Sequence, residues 1–218
     1  MRRLAALGAV VAILVVLGVA QLVLPGIAEQ SIRDRLARNG QVLAVKVSAF
    51  PAIELLWHQA DSVVVRLGHY RLAPARVGGT LGQSADTGTL DASVQEFDTG
   101  LLTLRNASLR KRGSTLTGSA EVTEANLRAA VPILQSVTPV ASSGGQLTLQ
   151  GTATLFGVTA TVDAIVGAEN GALVVQPDVP FGGLATIRLF SDPHVDVQSV
   201  GASRTASGFT VTATAQLR

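Results

Sequence analysis

Four stretches of this chain alternate apolar and polar side chains almost without error, and a two-residue period over that length leaves little choice of fold. Within 115–122, Leu116, Gly118, Ala120 and Val122 face one way, and Thr115, Thr117, Ser119 and Glu121 the other. The pattern returns as Leu147, Leu149, Gly151, Ala153 and Leu155, as Val158, Ala160, Val162, Ala164 and Val166, and as Phe209, Val211, Ala213, Ala215 and Leu217. Strands covered on both faces read as unbroken apolar runs, so alternation predicts long strands buried on one side, in an antiparallel, amphipathic sheet. Two shorter stretches, Leu43-Val45-Val47 and Val63-Val65-Leu67, have the same period.

Helical spacing occurs twice. Ile27, Ala28, Ile32 and Leu36 recur with Glu29, Arg33, Asp34 and Arg38 between them, and Asn39-Gly40 supplies a stop. Thr123 and Glu124 open a second candidate, with Leu127, Ala130, Val131 and Leu134 on one side and a kink at Pro132. Phe50-Pro51 ends the first strand, and Ile53, Leu55, Leu56 and Trp57 continue it as an apolar turn or short helix. Ala141 to Gly145 reads as a flexible link, and no internal repeat is visible. The expectation is one α+β domain over 27–218.

Residues 1–24 stand apart from it. Arg2 and Arg3 precede an apolar run from Leu4 to Leu24 broken only by Gln21. As a helix the run measures about 31 Å, enough to cross a hydrocarbon core of about 30 Å, which makes it a membrane anchor. Equally, Leu4 to Leu17 serves as the apolar core of a signal peptide, with Gly18-Val19-Ala20 as small residues at a cleavage site. Either reading exports the domain to the cell envelope, tethered to the inner membrane or released into a periplasm-like space. Arg33, Arg35 and Arg38 follow the run, so the arginine balance does not set its orientation.

Charge and motifs exclude several function classes. The chain has 17 basic and 15 acidic residues, and two of the basic ones lie in the leader. A formally neutral domain has no basic field for nucleic acid, which is not an expected partner. Without cysteine there is neither a disulfide framework nor a thiolate metal site. Asp86-Thr87-Gly88 and Asp98-Thr99-Gly100 match the aspartic-protease triplet. That chemistry needs two aspartates facing across a dyad, and two triplets so close in sequence cannot supply two lobes. They read instead as turns. Of the three histidines, His58 lies near Asp61 but lacks a helical partner or third ligand, so no metal site is expected. No nucleophile elbow, phosphate loop or dinucleotide fingerprint is present, so neither an enzyme nor a cofactor is expected. Asn106-Ala107-Ser108 is a glycosylation sequon read as chance.

What remains is apolar supply. Phe50, Leu55, Leu56, Trp57, Leu127, Val131, Leu134, Phe156 and Phe209 are candidates for an apolar groove, with Phe181 a further large apolar residue. The inward strand faces carry many small residues, including Gly118, Ala120, Gly151, Ala153, Ala160, Ala164, Ala213 and Ala215. These either leave room along the sheet or let a helix pack closely. Strands of about ten residues span roughly 33 Å, so an acyl chain could lie along one.

In order along the chain, the leader, the helix Ile27 to Arg38, the Phe50-Pro51 corner, the segment Gly118 to Leu127 and the closing Val197 to Val211 resemble the LmeA-like phospholipid-binding proteins of actinobacterial envelopes. Ala49 stands where that family often has glycine before the corner, and Pro132 interrupts the second helix. The resemblance implies a tubular lipid-binding-like fold: a curved antiparallel sheet wrapped around one or two helices, with lipid tails between them and no catalytic residues. The functional expectation is a phospholipid-binding or lipid-shuttling envelope protein that works at a membrane surface. The alternative is an envelope scaffold with a filled core that binds a protein partner.

Overall fold

The computed structural model describes residues 21, 23–50, 52, 55, 59–72, 86–100, 102–126, 134–155, 158–178, 186–206 and 208–218. The fold is mostly β, built from two curved sheets with few helices, in place of the α+β architecture expected. No helix of the described residues is long and apolar enough to cross a membrane, and residues 1–20 of the apolar leader lie outside them.

A helix, α1, occupies Gln21 and 23–37, and Asn39 closes it by donating its N–H to the Leu36 carbonyl at 3.0 Å. Twelve strands follow: β1 (Gly40–Ser48), β2 (Ala60–Arg71), β3 (Thr87–Asp98), β4 (Thr103–Arg112), β5 (Thr115–Val122), β6 (Leu134–Ser143), β7 (Gln146–Leu155), β8 (Val158–Glu169), β9 (Ala172–Pro177), β10 (Ile187–Phe190), β11 (Val195–Thr205) and β12 (Gly208–Leu217). The larger sheet has the order β1-β2-β3-β4-β5-β12-β11 and the smaller one β10-β9-β8-β7-β6.

The alternating stretches become β5, β7, β8 and β12, but the all-antiparallel expectation fails at one place. β2 and β3 pair in parallel, from Ala60↔Thr87 to Arg71↔Asp98. A parallel pair needs a long crossover, here 73–85, which lies outside the described residues. Alternation reports that one face is buried; it does not report strand direction.

Three local expectations are also corrected. Ile27 is 60% exposed, and Ala28, Ile32 and Leu36, partly buried, carry the face of α1 that packs on the sheet. In β1, register shifts on both sides of Val42 turn that residue inward and leave Leu43 exposed, because one extra residue in a strand exchanges its two faces. Finally, Ala141 to Gly145 is no linker. Ala141 to Ser143 end β6, and Gly144-Gly145, at φ 59° and 78°, form the hairpin turn into β7.

The sheet edges are protected. On β1, the Val47 N–H donates to the Glu29 carboxylate of α1 at 3.0 Å. On β11, the Val200 N–H donates to Gly145 O at 2.9 Å and the Val197 N–H to Gly171 O at 3.0 Å, so two hairpin turns of the smaller sheet plug the free edge of the larger. β6 carries Pro139, which has no N–H to offer, and β10 is only four residues long.

Candidate functional site

Residues opposed across paired strands share a sheet face. Followed through the larger sheet, one row reads Val45, Val65, Ala92, Leu109, Gly118, Ala213, Val200, and the next Val47, Val63, Leu90, Lys111, Leu116, Ala215, Val197. One apolar face therefore crosses all seven strands, with a single lysine in it.

That face is covered at its two ends by different elements. At the β1 end, Ala28, Ile32 and Leu36 of α1 pack on Val45, Val47, Val63, Val65, Leu67 and Tyr70, with Leu90, Ala92, Val94 and Phe97 of β3 at the margin. At the β11 end, Leu147 and Val166 of the smaller sheet pack on Val197 and Val200, with Val211 and Ala213 of β12 at the margin. Neither cluster contains a residue of β4 or β5.

Between the clusters runs a strip whose side chains are small or half-buried: Ala107 and Leu109 from β4, Gly118 and Ala120 from β5. The distance from β3 to β12 is three strand spacings, about 14 Å, and the eight residues of β5 run about 26 Å. Gly118 shows the room above the strip. A Cβ built on it meets no described atom nearer than the Ser108 carbonyl oxygen at 3.7 Å, so no close neighbour among the described residues requires glycine there. The opposite face of the same strands is polar, with the Ser108 and Ser119 hydroxyls 2.8 Å apart and Arg110 paired with Asp91 at 3.7 Å.

The strip is closed at both ends by buried side chains. Leu116 and Lys111 are 3% and 2% exposed at one end; Val122 and Phe209 are each 5% exposed at the other. Lys111 donates from Nζ to the Thr87 carbonyl. Burial disfavours its charged form and pushes its pKa down, while Asp86 opposes the shift. At the Phe209 end, Thr123 caps a helical turn at 124–126 by accepting the Asn126 N–H at 3.3 Å, and Asn126 Nδ2 donates to Thr103 O at 2.8 Å.

The residues expected to line a groove are dispersed. Phe209 closes one end of the strip, and Leu55 packs against the α1 cluster. Phe50 sits at an outer corner with 79% of its surface exposed, a correction to its place among groove residues. Leu134 begins β6 of the smaller sheet, where a helix was expected to continue. Leu56, Trp57, Leu127, Val131, Phe156 and Phe181 lie outside the described residues. The lining missed from the sequence comes from β4, where Ala107, Leu109 and Lys111 alternate with Ser108, Arg110 and Arg112. A lysine in an apolar position hid that period.

The two aspartate triplets do not form a dyad. Asp86 precedes β3 in an exposed turn and Asp98 ends it, roughly 40 Å along the strand. Asp98 accepts the Gly100 N–H at 2.7 Å and Arg71 Nε at 2.8 Å, which together hold its carboxyl below the usual range. His58 lies outside the described residues, and Asp61 accepts the Phe50 N–H; no group of three metal-ligating side chains occurs among the described residues. A separate recess of about 400 Å³ on the smaller sheet is open and lined largely by polar residues, including Glu169, Asn170, Thr186, Arg188 and Ser191. Its chemistry does not suit an acyl chain. No protein-family model and no curated protein matches this chain.

Proposed function

We propose that this chain is a non-enzymatic phospholipid-binding protein of the cell envelope, exported by its leader, that holds acyl chains along the strip on β4 and β5. The observation that carries the reading is that, among the described residues, one continuous apolar face is covered at its two ends and not at its centre. Both ends of it are packed, yet the centre, lined by Ala107, Leu109, Gly118 and Ala120, belongs to neither packed cluster. Each methylene moved there from water contributes about 0.8 kcal/mol. A strip about 26 Å long exceeds half the thickness of a bilayer core, about 15 Å, which is the depth an acyl chain occupies in its own leaflet. On this reading α1 and the turn at 124–126 flank the lipid, as the resemblance to LmeA-like proteins implies, and the lipid is shuttled or presented at a membrane surface.

The test is to extract lipid from the purified chain and from Gly118→Leu, and to identify it by mass spectrometry. The native chain is expected to carry phospholipid in near-stoichiometric amount, and the leucine variant at least tenfold less at an unchanged unfolding temperature. Lipid bound to the apolar leader is common to both and cancels. Equal recovery from the two, or none from either, overturns the groove and favours a scaffold with a filled core.

A further inference from the structure

Phe50 is the most exposed large apolar side chain among the described residues, at 79%, yet the backbone around it is firmly held. Its own N–H donates to Asp61 Oδ2 at 2.7 Å. On either side of it, Gln21 Nε2 donates to Ala49 O at 3.1 Å and Gln21 Oε1 accepts the Ala52 N–H at 2.7 Å. Ala49 and Ala52 are themselves buried, at 4% and 1%. The corner thus presents an aromatic ring to solvent from a fixed base, the opposite of a loose loop tip.

Gln21 ties this corner to the first described turn of α1, and there the outer helix face is also apolar. Val23 and Ile27, one turn apart and therefore on the same side, are 49% and 60% exposed. Scattered apolar residues on a surface are ordinary, but all three occur at the Gln21 end of α1, where the apolar run Leu4 to Leu24 leads into the domain. Ile27 stands about 9 Å along the helix axis from Gln21, within the depth of a lipid headgroup layer and its acyl boundary.

We propose that the Phe50 corner and the Val23–Ile27 face of α1 form a bilayer-docking surface, with the Phe50 ring inserted among phospholipid chains beside the point where the leader meets the membrane. The proposal rests on the envelope reading of the leader, and it adds an orientation. The end of β1 that leads into the Phe50 corner faces the bilayer, and its Gly40 end lies away from it. The two hydrogen bonds of Gln21 keep the ring at a fixed height relative to α1, so insertion requires no rearrangement of the corner.

The chain has no cysteine, so Phe50→Cys, Ile27→Cys and Val140→Cys each carry one spin label. All three sites are exposed, at 79%, 60% and 51%, and Val140 lies on the smaller sheet. The full chain is reconstituted in vesicles of phosphatidylcholine and phosphatidylglycerol, and each label is probed with oxygen and with a water-soluble nickel chelate. Labels at 50 and 27 are expected to favour oxygen over nickel several-fold more than the label at 140. Water-like accessibility at 50, or equal ratios at all three sites, overturns the docking surface. Lipid recovery from the native chain and Gly118→Leu is scored separately. Lipid in the groove with position 50 in water refutes the docking surface alone, and membrane-buried labels with no groove lipid refute the groove alone.

Discussion

The β1 end and the β4–β5 centre of the larger sheet lie on the same face and in the same register rows, yet they are built from different residues. At the β1 end the rows read Val45-Val65 and Val47-Val63, large β-branched pairs closed by α1; at the centre the same rows read Leu109-Gly118 and Lys111-Leu116, with Ala107 and Ala120 in the next row along the strands, all outside both packed clusters. Side-chain volume in a covered sheet is set by what must be met on the other side. Large residues at one end match a helix drawn close by its own short side chain at Ala28. At the centre the smaller residues Ala107, Gly118 and Ala120 meet no described element packed on them, as the proposed lipid site requires.

The most direct way to break this distinction is to remove the same side chain from both regions. Leu67 is 5% exposed beneath α1, and Leu67→Ala should cost about 2–5 kcal/mol through lost burial and the enclosed cavity it leaves. Leu109 is half-buried beside open space, so Leu109→Ala should cost about 1 kcal/mol, since no closed cavity forms. Denaturant unfolding of the two variants gives both figures. Equal losses would mean that the centre is core.

Next in size is the edge contact that fastens α1. Glu29→Ala leaves the Val47 N–H without its acceptor, and a loss of about 1–2 kcal/mol is expected. Glu29→Gln, which keeps an oxygen acceptor, should recover most of it. Because the contact also shields β1, the alanine variant should self-associate more readily, measurable by light scattering. If glutamine and alanine behave alike, the carboxylate and not its oxygen geometry holds the helix.

Much of this architecture was legible because each element obeys one local rule. Val63, Val65 and Leu67 read as a strand and are one; Asn39-Gly40 read as a helix stop and acts as one. What sequence could not carry was long-range. The parallel pairing of β2 with β3 depends on a crossover, not on the alternation of either strand. The inward turn of Val42 depends on two register shifts in β1. The large groove candidates Phe50 and Leu134 lie off the strip, whereas Gly118 and Ala120, whose small size on an inward face is plain in the sequence, lie on it. Its β4 half stays hidden in the sequence because Lys111 occupies an apolar position.

Lys111 sharpens the comparison, since it is the charged exception in the central rows. Its pKa is lowered in the folded chain by burial, so between the folded value and about 10.4 the unfolded chain binds more protons. Stability should therefore rise with pH through that window, and the penalty should be complete below the folded pKa. Lys111→Met removes the penalty and that slope, and it should unfold at the same or a higher temperature at pH 7. A variant that retains the native slope would assign it to another group.

The smallest effect belongs to Asp98, which lies at the β1 side of the sheet but acts through a turn and not through the apolar face. Its carboxyl is held low first by the Gly100 N–H and then by Arg71, whose side chain is 71% exposed and so adds little through charge alone. Because the folded pKa lies below the unfolded one, the carboxylate's contribution is present above pH about 4 and is lost as pH falls through the folded value. Asp98→Asn keeps an oxygen for the Gly100 N–H and removes the charge. Native and variant stabilities should thus differ slightly at pH 7 and converge once the pH falls below the folded pKa, in chemical denaturation followed from neutral into acid. A difference that persists in acid would place the effect in the shape of the 98–100 turn, and would separate the geometry of this corner from its electrostatics.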